Sequence, residues 1–596
     1  MKNFKKMMAL IIAAVMVIGT MGTMTAFAEG EVPASSAAAF DQTITIDGLD
    51  EGDVVNFYQI LKWHGSKEEG ETMPVVDGWE VCEPFNTLID TEDELKDIVD
   101  GKITSEIAGK LSRLAETAQF TKTVAKGATS VKADIANDGQ LGLYMAIIDP
   151  ADKATVYNPV FASADYNTDG KTNSFNVPLS SASYSDSAAA KKSKLDLDKT
   201  AENNKDYNGD NGDTAAVGDV LTFTVTTTIP GYGKTFEHPQ FVLKDVMTDL
   251  ELQPGTITVT ADGLDENERE ILGKTAEAGT TADKTGYAVK FSEDYLKSLT
   301  VPTTVTITYD AKVLKATKPA NVDKENNTVT IEYSHDPSTE TDGKPGGDKE
   351  YQKDITNHYT FSIDADNLWK GSGKVGESGS EIIKIAVDRD GNPIMSEIKT
   401  SSFITPEEYE ASPLAGCSFE LYTVKNGQKD KKVGSADSDA AGRIKFEGLD
   451  EGEYILIETK APAGYVKDTE EHHIVITANT TTKSYTEYYD QNGGWHDAPG
   501  DGLTAYTYEA EELVSYSITF DDANVATHTF VHESKDAKIK WSEASSKEAP
   551  ASIHNTKGVE LPSTGGMGTR LFYIIGAILV VGAGVLLVTR RRMNAN

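Results

Sequence analysis

Three polar residues in the middle of the chain fall in phase with the apolar residues of short alternating segments. Lys199 follows Leu195 and Leu197, Asp245 follows Phe241 and Leu243, and Asn327 precedes Val329, Ile331 and Tyr333. Successive side chains of a β-strand point to opposite faces, so Lys199, Asp245 and Asn327 should share an apolar interior. Burying a lysine, a carboxyl and an amide is costly unless these groups pair or react.

The reaction open to these three groups is amide exchange within the folded chain. Desolvation lowers the pKa of a lysine and raises that of a carboxyl. A neutral Lys199 amine could then attack the Asn327 carboxamide, while protonated Asp245 polarises its carbonyl and shuttles the proton. The product would be an intramolecular isopeptide bond, with ammonia released. The residues alone leave a buried salt bridge open as the alternative.

A second set of the same residue types is spread between residues 382 and 555. The expected acid is Glu458, in phase with Tyr454 and Leu456, and the expected asparagine is Asn555, in phase with Ile553. Lys384 is the preferred amine, because it lies inside the apolar segment Ile382–Val387, where desolvation would leave a fraction of it neutral. Lys370 and Lys374, which lie next to glycines, are alternatives, and a domain without a bond is another.

Elements that could position these residues are visible as short runs with apolar residues at every second position. Such runs include Ile44 and Ile46, Leu221 to Val225, and Val305 and Ile307, and Gly, Asn and Asp bound them. The pattern predicts a mostly β protein of tandem Ig-like β-sandwiches. One helical insertion is predicted in the first domain, where Thr91 and Glu94 form a capping box.

Composition suggests two linkers between domains, a Ser/Ala-rich stretch at 180–190 and a Gly/Pro/Asp/Thr-rich stretch at 338–349. The expected division is an export signal at 1–28, a first domain at 29–190, a second at 191–350, a third at 351–558 and a terminal segment at 559–596. The third domain is long for one sandwich, and part of its surplus is Tyr-rich, at 479–550.

Charge and composition exclude several classes of protein. The 596-residue chain has 94 acidic and 56 basic side chains and a net charge of −38, which excludes a nucleic-acid-binding function. Its two cysteines, Cys82 and Cys417, are far apart in the sequence, so we expect no disulfide. We predict no metal and no cofactor, and no motif indicates turnover of an external substrate.

Both ends of the chain carry targeting features. Lys2, Lys5 and Lys6 precede an apolar run, and Ala28 followed by Glu29 is the expected signal-peptidase site. Near the other end, Leu561-Pro562-Ser563-Thr564-Gly565 precedes an uncharged run from Leu571 to Val588 and then three arginines. This LPxTG arrangement resembles the sorting signal of sortase transpeptidases, which implies cleavage between Thr564 and Gly565 and transfer of Thr564 to an amine.

Residues 195–337 resemble the isopeptide-forming fimbrial domain of Gram-positive pilus backbones. The resemblance is carried by Lys199, by Phe241-Val242-Leu243-Lys244-Asp245 and by the run from Asn327 to Pro337. It implies that Lys199, Asp245 and Asn327 are the bond-forming lysine, acid and asparagine.

The third domain resembles the B-type repeat domain of the collagen-binding adhesin. Its segment Tyr454 to Tyr465 fits the pattern YxLxETxAPxGY, called the E-box in sortase-assembled pilins, with Glu458 as the acid. The chain departs from the pattern at the lysine, since Asn367 follows the Tyr359-Thr360-Phe361 strand where similar chains have a lysine.

The pilin resemblance also implies a lysine that joins one subunit to the next. Backbone pilins usually carry it in a VxVYPK sequence, whereas here Val156-Tyr157-Asn158-Pro159 is followed by Val160. Lys191 and Lys192 lie a few residues ahead of Lys199, where the resemblance implies an interdomain acceptor, and they are the expected acceptors, with Lys194 less favoured. The implied partners are sortase, identical subunits in a covalent polymer and peptidoglycan. A monomeric wall-anchored adhesin that binds a host or matrix protein is the alternative.

Overall fold

The computed structural model describes most of the chain between residues 43 and 593. The described ranges are 43–64, 69–70, 73–135, 141–164, 186–203, 213–315, 322–340, 349–363, 381–394, 412–440, 442–533, 540–545, 551–558 and 567–593. The export signal with Ala28 and Glu29, the sorting-signal residues Leu561, Pro562, Thr564 and Gly565, and the alternative lysines Lys370 and Lys374 lie outside these ranges.

The first part of the chain is β-rich with two helices. Its elements are β1 (Thr43–Asp47), β2 (Val54–Trp63), β3 (Val75–Val76), β4 (Trp79–Val81), α1 (Glu92–Val99), α2 (Ser105–Arg113), β5 (Phe120–Thr123), β6 (Ser130–Asp134), β7 (Gly142–Asp149), β8 (Thr155–Tyr157), β9 (Val160–Ala164) and β10 (Asp186–Ala189). One sheet has the order β3-β4-β2-β7-β9, and a second has the order β10-β1-β6. The predicted capping box is present, since the Glu94 amide donates to Thr91 Oγ1 at 3.2 Å.

The second part is a sandwich of two mainly antiparallel sheets. Its elements are β11 (Lys192–Lys194), β12 (Leu197–Asn203), β13 (Val220–Ile229), β14 (Phe241–Thr248), β15 (Leu250–Leu252), β16 (Thr258–Ala261), β17 (Arg269–Leu272), β18 (Gly286–Phe291), α3 (Glu293–Ser298), β19 (Thr303–Val313) and β20 (Val322–Ser334). The sheet β12-β13-β19-β15 faces the sheet that contains β17, β18, β14 and β20. Their inward-facing side chains form one continuous apolar core.

The third part contains the longest strands. Its elements are β21 (Lys349–Ile363), β22 (Ile382–Val387), β23 (Ser412–Pro413), β24 (Ser418–Lys425), β25 (Gln428–Asp437), β26 (Phe446–Leu449), β27 (Gly452–Lys460), β28 (Glu471–Tyr489), β29 (Trp495–His496), β30 (Thr504–Phe520), β31 (Ala523–Glu533), β32 (Lys540–Ser545), β33 (Ala551–Thr556) and the terminal helix α4 (Met567–Met593). The sheet β25-β24-β27-β28-β30-β31-β32 packs on a second apolar core. The prediction of a mostly β chain with several sheets is confirmed.

Strand β21 belongs to both of these parts. It pairs with β20 from Val322↔Phe361 to Ser334↔Lys349, and its end pairs with β26. Each of its two faces packs on a different core. On one face the His358 ring lies 5.3 Å from the Phe223 ring of the second part, and on the other face Phe361 packs in the core of the third part. The stretch expected as a linker at 338–349 therefore leads into a strand of the same sheet.

The Tyr-rich surplus of the third part covers the outer face of this shared strand. β28 and β30 pair from Ile474↔Phe520 to Tyr489↔Thr504 and form one long hairpin. The Tyr351 and Tyr489 rings lie 5.4 Å apart, and Lys353 Nζ lies 4.9 Å from the Trp495 ring centroid. The hairpin thus buries apolar and aromatic surface of β21 that would otherwise face water.

The first and second parts meet at the end of β20. Tyr333 Oη donates to the Lys153 carbonyl at 2.7 Å, and His335 Nε2 lies 3.1 Å from the Thr155 carbonyl. Both contacts fasten β20 to the segment around β8, the element that pairs with β11.

Acid should weaken this junction through His335. Burial, the main cause, lowers the pKa of His335 from 6.5 to about 4. The unfolded chain therefore binds this proton first, and the contribution of His335 is lost as the pH falls from about 6.5 to about 4. We expect the stability difference between wild type and His335→Gln to shrink by up to about 3 kcal/mol over that window, as measured by urea unfolding. Parallel pH profiles for the two proteins would contradict this role.

Candidate functional site

The first cluster consists of Lys199, Asp245, Asn327 and Tyr309, which the structure brings together in the core of the second part. Lys199 lies on β12 opposite Val225, and Tyr309 lies on β19. Asp245 on β14 and Asn327 on β20 lie on adjacent strands of the facing sheet. All four residues are buried, with exposures of 5% or less. Strand alternation alone places these polar groups among apolar neighbours.

The Tyr309 hydroxyl lies between the other three groups of the first cluster. Lys199 Nζ forms an ion pair with Asp245 Oδ2 and donates to Tyr309 Oη at 2.8 Å. Tyr309 Oη donates to Asp245 Oδ2 at 2.7 Å, and Asn327 Nδ2 donates to Tyr309 Oη at 2.9 Å. Amine, carboxyl and carboxamide are therefore linked by one short hydrogen-bonded network.

Burial sets the protonation of the first cluster. It lowers the pKa of Lys199 and raises the pKa of Asp245, although their mutual attraction opposes both shifts. Asp245 Oδ1 and Asn327 Oδ1 are buried without a hydrogen-bond partner among the described residues. An unsatisfied buried polar group costs about 1–3 kcal/mol, so these two oxygens reduce the stability of the folded chain. The neutral pair of amine and carboxylic acid is the state that aminolysis of the amide requires.

The second cluster consists of Lys384, Glu458, Asn555 and Cys417 in the core of the third part. β22 and β33 are parallel neighbours, with Lys384 opposite Ile553 and Ala386 opposite Asn555. Lys384 and Asn555 are therefore diagonal neighbours on one face, and both are fully buried. Glu458 reaches them from β27 in the other sheet.

The Glu458 carboxylate contacts both the amine and the carboxamide of the second cluster. Lys384 Nζ lies 3.1 Å from Glu458 Oε2, and Asn555 Nδ2 donates to Glu458 Oε1 at 2.7 Å. The Asp468 amide donates to Oε2 at 3.0 Å and orients the carboxylate. Burial lowers the pKa of Lys384. Asn555 Oδ1 has no hydrogen-bond partner in the described part of the chain.

Two residues at these clusters escaped the sequence reasoning. Tyr309 is in phase with the buried residues Val305 and Ile307, so the sequence indicates that its side chain faces the core. Its position between the amine, the carboxyl and the carboxamide depends on how the two sheets pack, which the sequence does not indicate. The sequence indicated that Cys417 forms no disulfide, whereas in the fold its Sγ accepts from Asn555 Nδ2 at 3.6 Å. Burial raises the pKa of Cys417 to about 11, which keeps the thiol protonated.

The expected acceptor lysines lie at the surface beside the Val156-Tyr157-Asn158-Pro159 segment. β11 pairs with β8 so that Lys192 is opposite Tyr157, and the Asn158 amide donates to the Lys191 carbonyl at 3.1 Å. Lys192 forms an ion pair with Asp50 at 2.7 Å, and Lys194 forms one with Asp152 at 3.2 Å. Lys191 is exposed and has no ion-pair partner among the described residues.

Two family models match the chain. A prealbumin-like fold domain matches residues 401–489, and an LPXTG cell wall anchor motif matches residues 553–595. Within the described ranges, one helix, α4, is long and apolar enough to cross a membrane, over Tyr573–Met593. The predicted carboxyl-terminal cell-wall anchor is confirmed.

Similar proteins come from several bacterial genera, and three of them illustrate the degree of likeness. The "Trypsin-resistant surface T6 protein" of Streptococcus pyogenes serotype M6 is 25% identical over 486 residues, which cover 76% of this chain and 79% of that protein. The solved T6 backbone pilin of the same serotype is 18% identical, with 87% and 100% coverage and a TM-score of 0.48. The full-length major pilin SpaD of Corynebacterium diphtheriae is 16% identical, with 72% and 88% coverage and a TM-score of 0.38.

Proposed function

We propose that this chain is the structural backbone subunit of a covalently polymerised pilus on a Gram-positive cell. The observation that carries the proposal is the cell-wall anchor motif at the end of a chain whose second and third parts each hold a buried lysine, acid and asparagine. The anchor motif and α4 make the protein a surface protein of the cell wall. A structural role, and not turnover of an external substrate, fits this organisation.

Each buried cluster forms one isopeptide bond by the following step. The neutral lysine amine attacks the asparagine carboxamide carbon, a C–N bond to Nζ forms, and the bond from that carbon to Nδ2 breaks. The acid takes the proton from the amine and delivers it to the leaving nitrogen, which departs as ammonia. Asp245 serves Lys199 and Asn327 in this way, and Glu458 serves Lys384 and Asn555. Their contacts with the amine and with the carboxamide, directly or through Tyr309, support these roles.

Sortase joins one subunit to the next in this proposal. It cleaves after Thr564, and the Thr564 carbonyl passes to an exposed lysine of the neighbouring subunit or, at the base of the polymer, to peptidoglycan. Lys191 is the favoured acceptor, because its carbonyl accepts from the backbone amide of Asn158 and its amine forms no ion pair with a described residue. In this proposal Lys191 takes the role of the lysine that follows the proline in the VxVYPK pattern.

Replacing Lys191 with alanine should abolish polymerisation and leave monomer on the cell wall. Immunoblots of boiled wall extracts should show a ladder for the wild type and one wall-anchored band for Lys191→Ala. Lys194→Ala is the matched control, because Lys194 lies on the same segment but is paired with Asp152, and it should keep the ladder.

The same blots separate the rival explanations. A ladder that persists in Lys191→Ala and disappears in Lys192→Ala would move the linkage to Lys192. A wild-type protein that runs as a single band would contradict the pilus and favour a monomeric adhesin.

A further inference from the structure

A third buried cluster with the same residue types lies where the second and third parts share β21. It consists of Lys324 on β20, Asn357 and Tyr359 on β21, and Glu512 on β30. Glu512 and Tyr359 are fully buried and Asn357 is 3% exposed, while the Lys324 side chain keeps 20% of its surface. These residues occupy the face of β20 opposite to Asn327, so the third cluster is separate from the first.

The Glu512 carboxylate contacts every other member of the third cluster. Lys324 Nζ lies 3.1 Å from Glu512 Oε1 and 3.0 Å from Oε2. Asn357 Nδ2 donates to the same Oε1 at 3.2 Å, and Tyr359 Oη donates to Oε2 at 2.8 Å. One carboxylate oxygen therefore bridges an amine and a carboxamide nitrogen, and a tyrosine hydroxyl donates to the acid as in the first cluster.

Strand register places the lysine and the asparagine within reach of each other. Lys324 is opposite Tyr359, and Asn326 is opposite Asn357, so Lys324 and Asn357 are diagonal neighbours on one face. Lys384 and Asn555 stand in the same diagonal relation in the second cluster. Asn326 Nδ2 donates to Asn357 Oδ1 at 2.9 Å, which polarises the carbonyl that an amine would attack.

We propose that Lys324 and Asn357 form a third isopeptide bond, assisted by Glu512. The Lys324 amine attacks the Asn357 carboxamide carbon, the new C–N bond replaces the bond to Nδ2, and Glu512 carries the proton from Nζ to the departing ammonia. Burial lowers the pKa of Lys324, although Glu512 opposes the shift. The Glu511 carbonyl accepts from Asn357 Nδ2 at 3.0 Å and holds the leaving nitrogen on the side of the acid.

An ordinary ion pair that also involves β21 provides the contrast. Lys353 of β21 pairs with Glu487 of β28, and its amine lies over the rings of Trp495 and Tyr508. Lys353 is thus held by an acid and aromatic rings, and its ion pair is the matched case of a lysine–acid contact that should stay unreacted.

The third bond would join the two sandwiches across their shared sheet. It would close the β20–β21 hairpin, residues 324–357, into a covalent ring. This inference extends the bond chemistry proposed above but does not depend on polymerisation by sortase.

Peptide mapping of the whole purified chain tests the third bond. Trypsin does not cleave after an acylated lysine, so Lys324 and Asn327 stay in one peptide. In the wild type this peptide should be joined both to the Asn357 peptide and to the Lys199 peptide, and the branched product should be lighter than the sum of its parts by one ammonia for each bond. In Lys324→Arg, which keeps the charge next to Glu512, the Asn357 peptide should be linear. Lys353→Arg is the matched control and should keep the branched peptide.

The outcomes separate this inference from the proposed function. A linear Asn357 peptide in full yield, together with branched peptides at Lys199 and Lys384, would overturn the third bond alone. Linear peptides at all three asparagines would overturn the bond chemistry as a whole. If Lys324→Arg does not fold, the wild-type map and Asn357→Ala decide the question by the same criterion.

Discussion

Replacing Asp245 with alanine is expected to abolish the Lys199–Asn327 bond and to reduce the mass deficit of the whole chain by one ammonia. Asp245 is the carboxyl that contacts both Lys199 Nζ and Tyr309 Oη, so its loss removes the proton carrier between amine and carboxamide. Intact-mass measurement on the denatured protein tests this directly, because each bond lowers the mass of the chain by one ammonia.

The same substitution should also lower stability by several kcal/mol. The bond closes a loop of 327 − 199 = 128 residues. By analogy with a disulfide, such a crosslink contributes about 5 kcal/mol through the unfolded state. At about 2–4 °C per kcal/mol, the unfolding midpoint should fall by about 10–20 °C in a calorimetric scan.

Asp354→Asn is the matched control for this prediction. Asp354 is a mostly buried acid whose Oδ2 accepts from the backbone amide of Lys199 at 2.7 Å. Because it does not contact the amine, its replacement should keep the full mass deficit even if stability changes. A wild-type chain at its calculated mass, with linear Lys199 and Asn327 peptides, would leave the first cluster as a buried ion pair.

Strand alternation made much of the candidate site visible in the sequence. Lys199, Asp245 and Asn327 each lie in a segment whose apolar residues occupy alternate positions, and each is in phase with those residues. In a half-buried strand the apolar residues face the core, so a polar residue in phase with them must face the core as well. Lys384 was found in the same way, although the third domain departs from the lysine position of similar chains. Phase within a strand is a local property, so the residues that depend on it could be predicted.

The features that escaped prediction depend on pairing between distant segments. The third cluster forms only because β20 pairs with β21 in one register and because β30 brings Glu512 to the same place. Lys324 and Glu512 are 188 residues apart in the sequence. The stretch between β20 and β21 has the composition of a linker, which concealed their pairing. Lys191 and Lys192 were both expected as acceptors from their position ahead of Lys199, but the contact of Lys191 with Asn158 appears only in the fold.

The three bonds have a common consequence for a subunit under tension. In the proposed pilus, force enters at Lys191 and leaves at Thr564. The Lys199–Asn327 and Lys384–Asn555 bonds carry that force past residues 200–326 and 385–554. From Asn327 the force would pass back along β20 to Lys324 and then through the Lys324–Asn357 bond, which would bypass the hairpin between residues 324 and 357. The load would then pass along short backbone segments and three covalent crosslinks, and little of either sandwich would be stretched.

Glu458→Ala should therefore make the subunit extensible. Without the acid, the bond between Lys384 and Asn555 does not form, and tension applied at residue 191 and after residue 558 acts on the folded third part. Unfolding would release 555 − 384 = 171 residues. At about 3.3–3.6 Å per residue this corresponds to about 560–620 Å of contour length, less the folded separation of the two residues. Single-molecule stretching of the wild type should show no such step.

Glu453→Ala supplies the matched control on the same strand. Glu453 also lies on β27, but its side chain is exposed, and it has the opposite strand parity to Glu458. Its replacement should leave the chain inextensible and the mass deficit unchanged, whereas Asn555→Ala should release the same segment as Glu458→Ala. An extension step of this length in the wild type would show that the third part is held by packing alone. A Glu458→Ala chain that stays inextensible and keeps its mass deficit would show that the bond forms without this acid, since the covalent path bears the load only where the amide exchange has occurred.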